Sequence, residues 1–474
     1  MKKWFIASAL ASATLIACGG SDGPGDTAPV AQKNVLFFLG DGMGITTMTA
    51  ARIYSVGEDG NLTMDTLPES AFVKTYSANA QVTDSAPSMS AYMTGVKMNN
   101  EVISMTTPTA AFNPATGADY FSGADSTCPA SGNGAAATTL LELAKAAGMG
   151  TGVVSTTRIT HATPAATYAH ICHRDGENTI AAQMVPQGAG YNAALGDGID
   201  VVMGGGLRHF LPRTTAGSAR TDTRDLVAEM QARGYAFASN KNEFGGLPPT
   251  GKLLALFTPS HMAYDLDRDA AREPSLAEMT ARSIDQLKAN GKGMFLMVEG
   301  GRIDHALHET TARKALADTV AFDAAIKTGI DKMQAIDPGL KNTLIVVTAD
   351  HDHTLVLNGY SARTGPSTAS NPGVLGLLRS YVNGALSTDT GGNPYSIIGF
   401  GNGENRPSVR TALTDAQVFS STYHQEATIP VAAGSETHGG GNVYLGAIGK
   451  GADSFGGTVD NTAVFGLIRK AVGL

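Results

Sequence analysis

The chain has 474 residues, 42% of them hydrophobic and 16% charged, with a formal net charge of −8. That length fills one large α/β domain or two smaller ones around a sizeable core. The acidic balance offers no basic surface for nucleic acid, and 57 glycines imply many loops on a compact core, which excludes a coiled coil or a disordered chain.

In chain order, the N-terminus reads as a targeting segment. Lys2 and Lys3 precede an apolar run over residues 4–17, too short for an ordinary spanning helix. The run ends in Leu15-Ile16-Ala17-Cys18, which resembles a bacterial lipoprotein signal peptide over 1–17 with Cys18 as the acylated first residue. A plain cleaved signal with an incidental cysteine is the alternative, and either way the protein leaves the cytoplasm. Residues 18–33 are rich in Gly, Pro, Ser and Asp and read as a flexible tether. Setting Cys18 aside leaves Cys128 and Cys172, expected to pair in an oxidising compartment; two unpaired buried thiols are the alternative.

From Asn34 onward short apolar runs alternate with helical stretches. Strands are expected over 35–39, 152–155, 200–203, 293–298, 344–348, 395–400 and 443–448, and helices over 137–147, 276–290 and 310–335. This alternation predicts an α/β fold with a doubly wound, mostly parallel sheet and helices on both faces. Residues 361–432 are dominated by Gly, Ser, Thr and Asn with weak periodicity, and read as an excursion from the sheet. No internal repeat and no second linker is evident.

Three of the strand-like runs end in an acid: VLFFLGDG at Asp41, MFLMVEG at Glu299 and LIVVTADH at Asp350-His351. In open α/β sheets, ligands bind beyond the carboxyl ends of the strands. One acid after a strand is ordinarily a cap or turn residue. Three converging there repel one another unless cations lie between them. In EGGRIDHALHE, Asp304 and His308 are four apart, on one face if a helix opens there, and can share a metal. His438 sits in the glycine-rich turn ETHGGG. Mixed imidazole and carboxylate ligands suit zinc, whereas Glu299 with the Thr163 hydroxyl suits magnesium. LGDGMG over 39–44 is not a dinucleotide fingerprint, because its last glycine comes one residue early, and there is no Walker loop or zinc-finger spacing.

These residues fall in segments that resemble the alkaline phosphatases, in family order: NVLFFLGDGMGITTMTAARI, VTDSAPSMSAYMTGVK, VVSTTRITHATPAATYAHICHR, MFLMVEGGRIDHALHE, TADHDH and ETHGGG. The resemblance runs from Asn34 to near Val472, and several segments are closer to the animal enzymes than to the best-known enterobacterial one. It implies a phosphomonoesterase domain over 34–474, with 361–432 as a crown-like insertion near a homodimer interface. It further implies two zinc ions and one magnesium ion. Asp304, His308 and His438 would hold the first zinc. Asp41, Asp350 and His351 would hold the second, facing the nucleophile Ser85. Asp41, Thr163 and Glu299 would hold magnesium. Arg174 would grip the phosphate, and His161 and His305 would occupy the family's two variable positions beside the metals. Thr258 stands where the animal enzymes' additional calcium site has an acid, so no calcium is expected.

The expected substrates are small phosphate monoesters, with no nucleic-acid role, outside the cytoplasm, and with membrane contact only through the N-terminal lipid. Two other readings use the same residues: a metal-dependent diesterase or sulfatase on this fold, or a lipid-anchored phosphate-binding or adhesive protein. Arg174 and the Thr163–Glu299 set favour the monoester, because they address the charge of a terminal phosphate. The intact nucleophile and ligand set weigh against a non-catalytic protein.

Overall fold

The computed structural model describes residues 33–474, so the expected signal peptide, Cys18 and all of the tether but Lys33 lie outside the described residues. In chain order the strands of the central sheet are β1 (Lys33–Gly40), β2 (Glu69–Lys74), β3 (Gly150–Arg158), β4 (Val201–Gly205), β5 (Tyr235–Ala238), β6 (Lys252–Leu256), β7 (Gly293–Gly300), β8 (Thr343–Ala349), β9 (Val443–Gly449) and β10 (Gly457–Asp460). Across the sheet they run β10-β2-β9-β8-β1-β7-β3-β4-β6-β5. Every neighbouring pair is parallel except the two that β9 makes, with β8 and with β2.

The central strands are unbroken apolar runs because both of their faces are covered: β7 and β8 are buried at every residue, and β1 at all but Lys33. The covering helices used below are α1 (Ile45–Val56), α2 (Ser85–Thr94), α3 (Leu140–Ala146), α4 (Ala162–Ala165), α5 (Leu276–Leu287), α6 (Arg302–His308), α7 (Ala312–Ile336) and α8 (Asn461–Val472). Successive strand residues point to opposite faces. Phe37 meets Tyr92 of α2 at 5.7 Å between ring centroids, while Phe38 meets Phe322 of α7 at 6.3 Å. So α2, with α8 packed on it, covers one face, and α7, with α1 and α5, covers the other. The α7 layer comes so close that a Cβ on Gly329 would lie 2.6 Å from Phe38 Cζ.

The sequence-derived helices are present with trimmed ends. The stretch 137–147 shortens to α3, opened by a capping box between Thr139 and Glu142. The stretch 276–290 is α5 followed by one 3-10 turn at Lys288–Asn290. One expected strand must be reassigned. The run 395–400 does not join the central sheet; Ile398–Gly403 pairs with Leu355–Leu357 and Ala427–Pro430 in a separate three-stranded sheet. Ile398 and Phe400 are buried against Leu355 and Ala427 there, and an apolar run signals burial without saying in which sheet. Cys128 and Cys172 are disulfide-bonded, tying the loop before α3 to the segment after α4. Among the described residues, no helix is long and apolar enough to cross a membrane.

Candidate active site

The neighbours β8, β1 and β7 each bring a carboxylate to the same end of the sheet. Gly40 is level with Ala349 and Leu39 with Glu299, so Asp41 and Asp350 emerge side by side just past their strands. Glu299 stays inside β7, level with Ser155 of β3. Ser155 and Thr157 donate to Glu299 Oε2, Thr157 Oγ1 at 3.2 Å. The turn after β1 needs glycine: Gly42 has φ +65°, and a Cβ there would lie 2.5 Å from His353 Nε2.

Asp304, His308, His353 and His438 form one group, each offering an atom within 4.8 Å of all the others. Helix α6 sets Asp304 and His308 on one face, with His308 Nε2 3.3 Å from Asp304 Oδ1. His438 arrives on a two-residue strand paired with His353. The ring orientations are fixed from behind. His438 Nδ1 meets the Thr83 carbonyl at 2.9 Å, His308 Nδ1 the Glu436 carbonyl, and His351 Nδ1 the Asp352 carbonyl at 3.1 Å. A carbonyl only accepts, so each Nδ1 carries the proton and each Nε2 turns a lone pair inward. His438 Nε2 and His308 Nε2 then face each other at 3.1 Å, an arrangement that a shared cation makes favourable. His353 differs: Nδ1 lies 2.5 Å from Glu436 Oε2 and Nε2 2.8 Å from Asp304 Oδ1. Against burial, those two carboxylates push its pKa up in the protein alone, and with both ring nitrogens held by carboxylates it orients Asp304.

Asp41, Asp350 and His351 form a second group, and Asp41, His161 and Glu299 a third. Thr163 Oγ1 reaches Asp41 Oδ2 at 3.4 Å, placing it with the third group. Asp41, Asp350, Glu299 and His351 are wholly buried. In the protein alone, burial and then the Asp304 charge push Asp41 up to about 7. Burial and then Asp41 push Asp350 up to about 8, and the same two causes hold Glu299 well above the carboxylate range. Asp350 Oδ2, Glu299 Oε1 and His161 Nδ1 are buried without a hydrogen-bond partner. Mutually repelling buried carboxylates with unpaired oxygens fit divalent cations.

Ser85 opens α2. Asp84 caps the helix by accepting from Ala86 N at 2.8 Å, which leaves Ser85 Oγ free to sit 3.2 Å from both Asp41 Oδ1 and His351 Nε2. Arg174 lies beside it, with Nη1 3.1 Å from Asp84 Oδ1 and Nη2 3.1 Å from His161 Nε2. His305 is turned aside: its Nδ1 accepts from Arg302 at 2.8 Å, and its ring lies 5.4 Å from that of His161. The catalytic and metal-type residues named from the sequence lie together in this region, His305 at its edge. Sequence reasoning passed over Asp84, Glu101, His261, His353 and Glu436. His353 follows His351 by two residues, and Glu436 stands inside the quoted ETHGGG, so a signal for both was present. His261 packs edge-on to His305 at 4.2 Å and carried none.

The family model described as alkaline phosphatase matches residues 32–474. The chain is 36% identical to the alkaline phosphatase of Gadus morhua over 450 residues, which is 88% of this chain and 87% of that one. It is 36% identical to the tissue-nonspecific isozyme of alkaline phosphatase from Homo sapiens over 446 residues, 87% of this chain and 78% of that one. Its fold is similar to the crystal structure of Thermus thermophilus alkaline phosphatase, with TM-score 0.65 and 24% identity, over 95% of this chain and 94% of that one.

Proposed function

The chain belongs to the alkaline phosphatase family of phosphomonoester hydrolases, and from that premise we propose that it works through a phosphoserine intermediate on Ser85 at a centre of two zinc ions and one magnesium ion. Asp304, His308 and His438 are the ligands of the first zinc. Asp41, Asp350 and His351 are those of the second, and Asp41, Thr163 and Glu299 are those of magnesium. Bound there, the ions favour the Ser85 alkoxide, stabilise the leaving oxygen and offset the buried carboxylates.

The chain's own residues supply aim and grip. The Asp84 cap points Ser85 Oγ outward from the start of α2, whose backbone dipole favours an anion at that end. Arg174 holds two non-bridging phosphate oxygens with its terminal nitrogens, a geometry lysine lacks. Ser85 Oγ bonds to phosphorus as the bond to the alcohol oxygen breaks. Water then cleaves the phosphoserine, releasing inorganic phosphate and restoring the hydroxyl. The observation that carries this reading is Ser85 Oγ set between Asp41 and His351 with Arg174 anchored alongside. Acid-quenching the protein during turnover and measuring its intact mass tests it. A phosphoryl adduct that Ser85→Ala eliminates supports the reading, and an adduct persisting in that variant contradicts it.

Placement belongs to the same proposal. Residues 1–17 are a lipoprotein signal peptide, Cys18 is the acylated anchor, 18–33 is the tether, and 34–474 is the catalytic domain outside the cytoplasm. The Leu15-Ile16-Ala17-Cys18 junction and the Cys128–Cys172 bond support this. The domain pairs as a homodimer with its 361–432 insertion at the interface; exposed Tyr381, Val382 and Val409 there support that placement.

A further inference from the structure

Arg174 is held by more than the α2 cap. Glu101 touches its segment twice: its carbonyl accepts from Arg174 N–H at 2.8 Å, and its carboxylate Oε2 lies 4.0 Å from Arg174 Nε. The Glu101 N–H donates to Asp84 Oδ2 at 2.5 Å, on the same carboxylate that holds Arg174. These contacts require a backbone that glutamate rarely adopts. Glu101 has φ +68°, in the left-handed region where a Cβ is strained and which persists only when the surroundings impose it.

The donor inventory of the guanidinium explains what this achieves. Of its five N–H groups, one on Nη1 goes to Asp84, one on Nη2 to His161, and the Nε–H faces Glu101. One donor on each terminal nitrogen remains for phosphate. The side chain of Glu101 is 29% exposed, so its carboxylate is open to solvent beside Arg174.

We propose that Glu101 is a positioning residue that pins Arg174 and, when ionised, loosens its grip on the phosphate product. This rests on the phosphomonoesterase reading above. The negative charge acts in one direction through two routes: it partly neutralises the guanidinium, and it repels the phosphate dianion. The charged groups facing Glu101 are Arg174 and Asp175 from the segment after α4, Asp84 from the start of α2, and Asp119 from the loop before α3. Burial, reinforced by the three acids and opposed by Arg174, pushes Glu101 up to about 7. Its charge is therefore present in alkaline solution and largely absent near pH 6.

The test is the inhibition constant of inorganic phosphate against p-nitrophenyl phosphate hydrolysis, for the wild-type protein, Glu101→Gln and Glu101→Asp, at about pH 6 and about pH 9. Taking the ratio of variant to wild type cancels the titration of phosphate and of the rest of the site. Glu101→Gln is expected to bind phosphate roughly 5-fold to 10-fold more tightly than wild type at about pH 9, and within about 2-fold of it at about pH 6. Glu101→Asp keeps the charge and is expected to track wild type at both. A Gln ratio equal at the two pH values, or weaker phosphate inhibition at about pH 9, overturns the inference. So does Glu101→Asp behaving like Gln. Wild-type protein that hydrolyses no phosphate monoester overturns the functional reading instead.

Discussion

Replacing Arg174 with alanine removes the two donors left free once Asp84 and His161 have taken theirs. A hydrogen bond to a charged group is worth about 1.5–3 kcal/mol net. Losing two from a monoester dianion costs about 3–6 kcal/mol, a fall of roughly a hundred-fold to ten-thousand-fold in kcat/KM at about 1.4 kcal/mol per decade. The truncation also strips the largely buried Asp84 carboxylate of the guanidinium paired with it, leaving it to repel the incoming phosphate, which places the loss in the upper half of that range. A phosphodiester presents one fewer charged oxygen and loses about one such bond, roughly ten-fold to a hundred-fold. Arg174→Lys keeps the charge without the planar fork and falls between wild type and Arg174→Ala. Steady-state kcat/KM on p-nitrophenyl phosphate and on bis(p-nitrophenyl) phosphate decides the matter. Equal losses on the two substrates, or wild-type values for Arg174→Lys, would refute the two-point grip.

Replacing Cys128 and Cys172 together by serine opens a loop with sequence separation 44. By loop entropy this destabilises the protein by about 4 kcal/mol, or roughly 4 °C in Tm for a chain this long; scanning calorimetry with an unchanged Tm would count against it. Glu436→Gln withdraws the carboxylate that holds the His353 ring against Asp304, so zinc affinity measured by titration into metal-depleted protein should fall about 10-fold to 100-fold. Unaltered affinity would make that relay structural only. The Glu142–His170 pair, at 2.8 Å, anchors the start of α3. Against burial, the bond to Glu142 raises the His170 pKa, so its stabilisation is complete below about 6.5 and is lost as pH rises past the raised value. His170→Ala should therefore cost about 3 kcal/mol near pH 6 and clearly less near pH 9, and denaturant melts giving the same gap at both would refute this.

The central strands were legible in the sequence because a parallel strand buried on both faces is a continuous apolar run, as in VLFFLG and MFLMV. The strand next to the edge was not: β2 reads ESAFVK with half of its residues exposed, and its pairing with β9 is set by tertiary contacts that no local pattern encodes. Helix α2 is hidden for the opposite reason. All ten of its residues are buried, so SAPSMSAYMT carries no amphipathic stripe and only its Asp84 cap marks it. The metal-type ligands stood out because acids at strand ends are costly unless they serve a site. Glu101 could not stand out, since nothing in KMNNEV announces a left-handed glutamate or its approach to a residue 73 positions away.

The claim on which the rest depends is that the buried carboxylate and imidazole clusters exist to hold metal ions that make Ser85 reactive. Elemental analysis of the purified protein, paired with monoester hydrolysis before and after exhaustive chelation, tests it directly. The expected result is about two zinc and one magnesium per chain, activity lost with the metals, and recovery on adding zinc with magnesium but not magnesium alone. Full hydrolysis by protein shown to be free of metal would contradict the account.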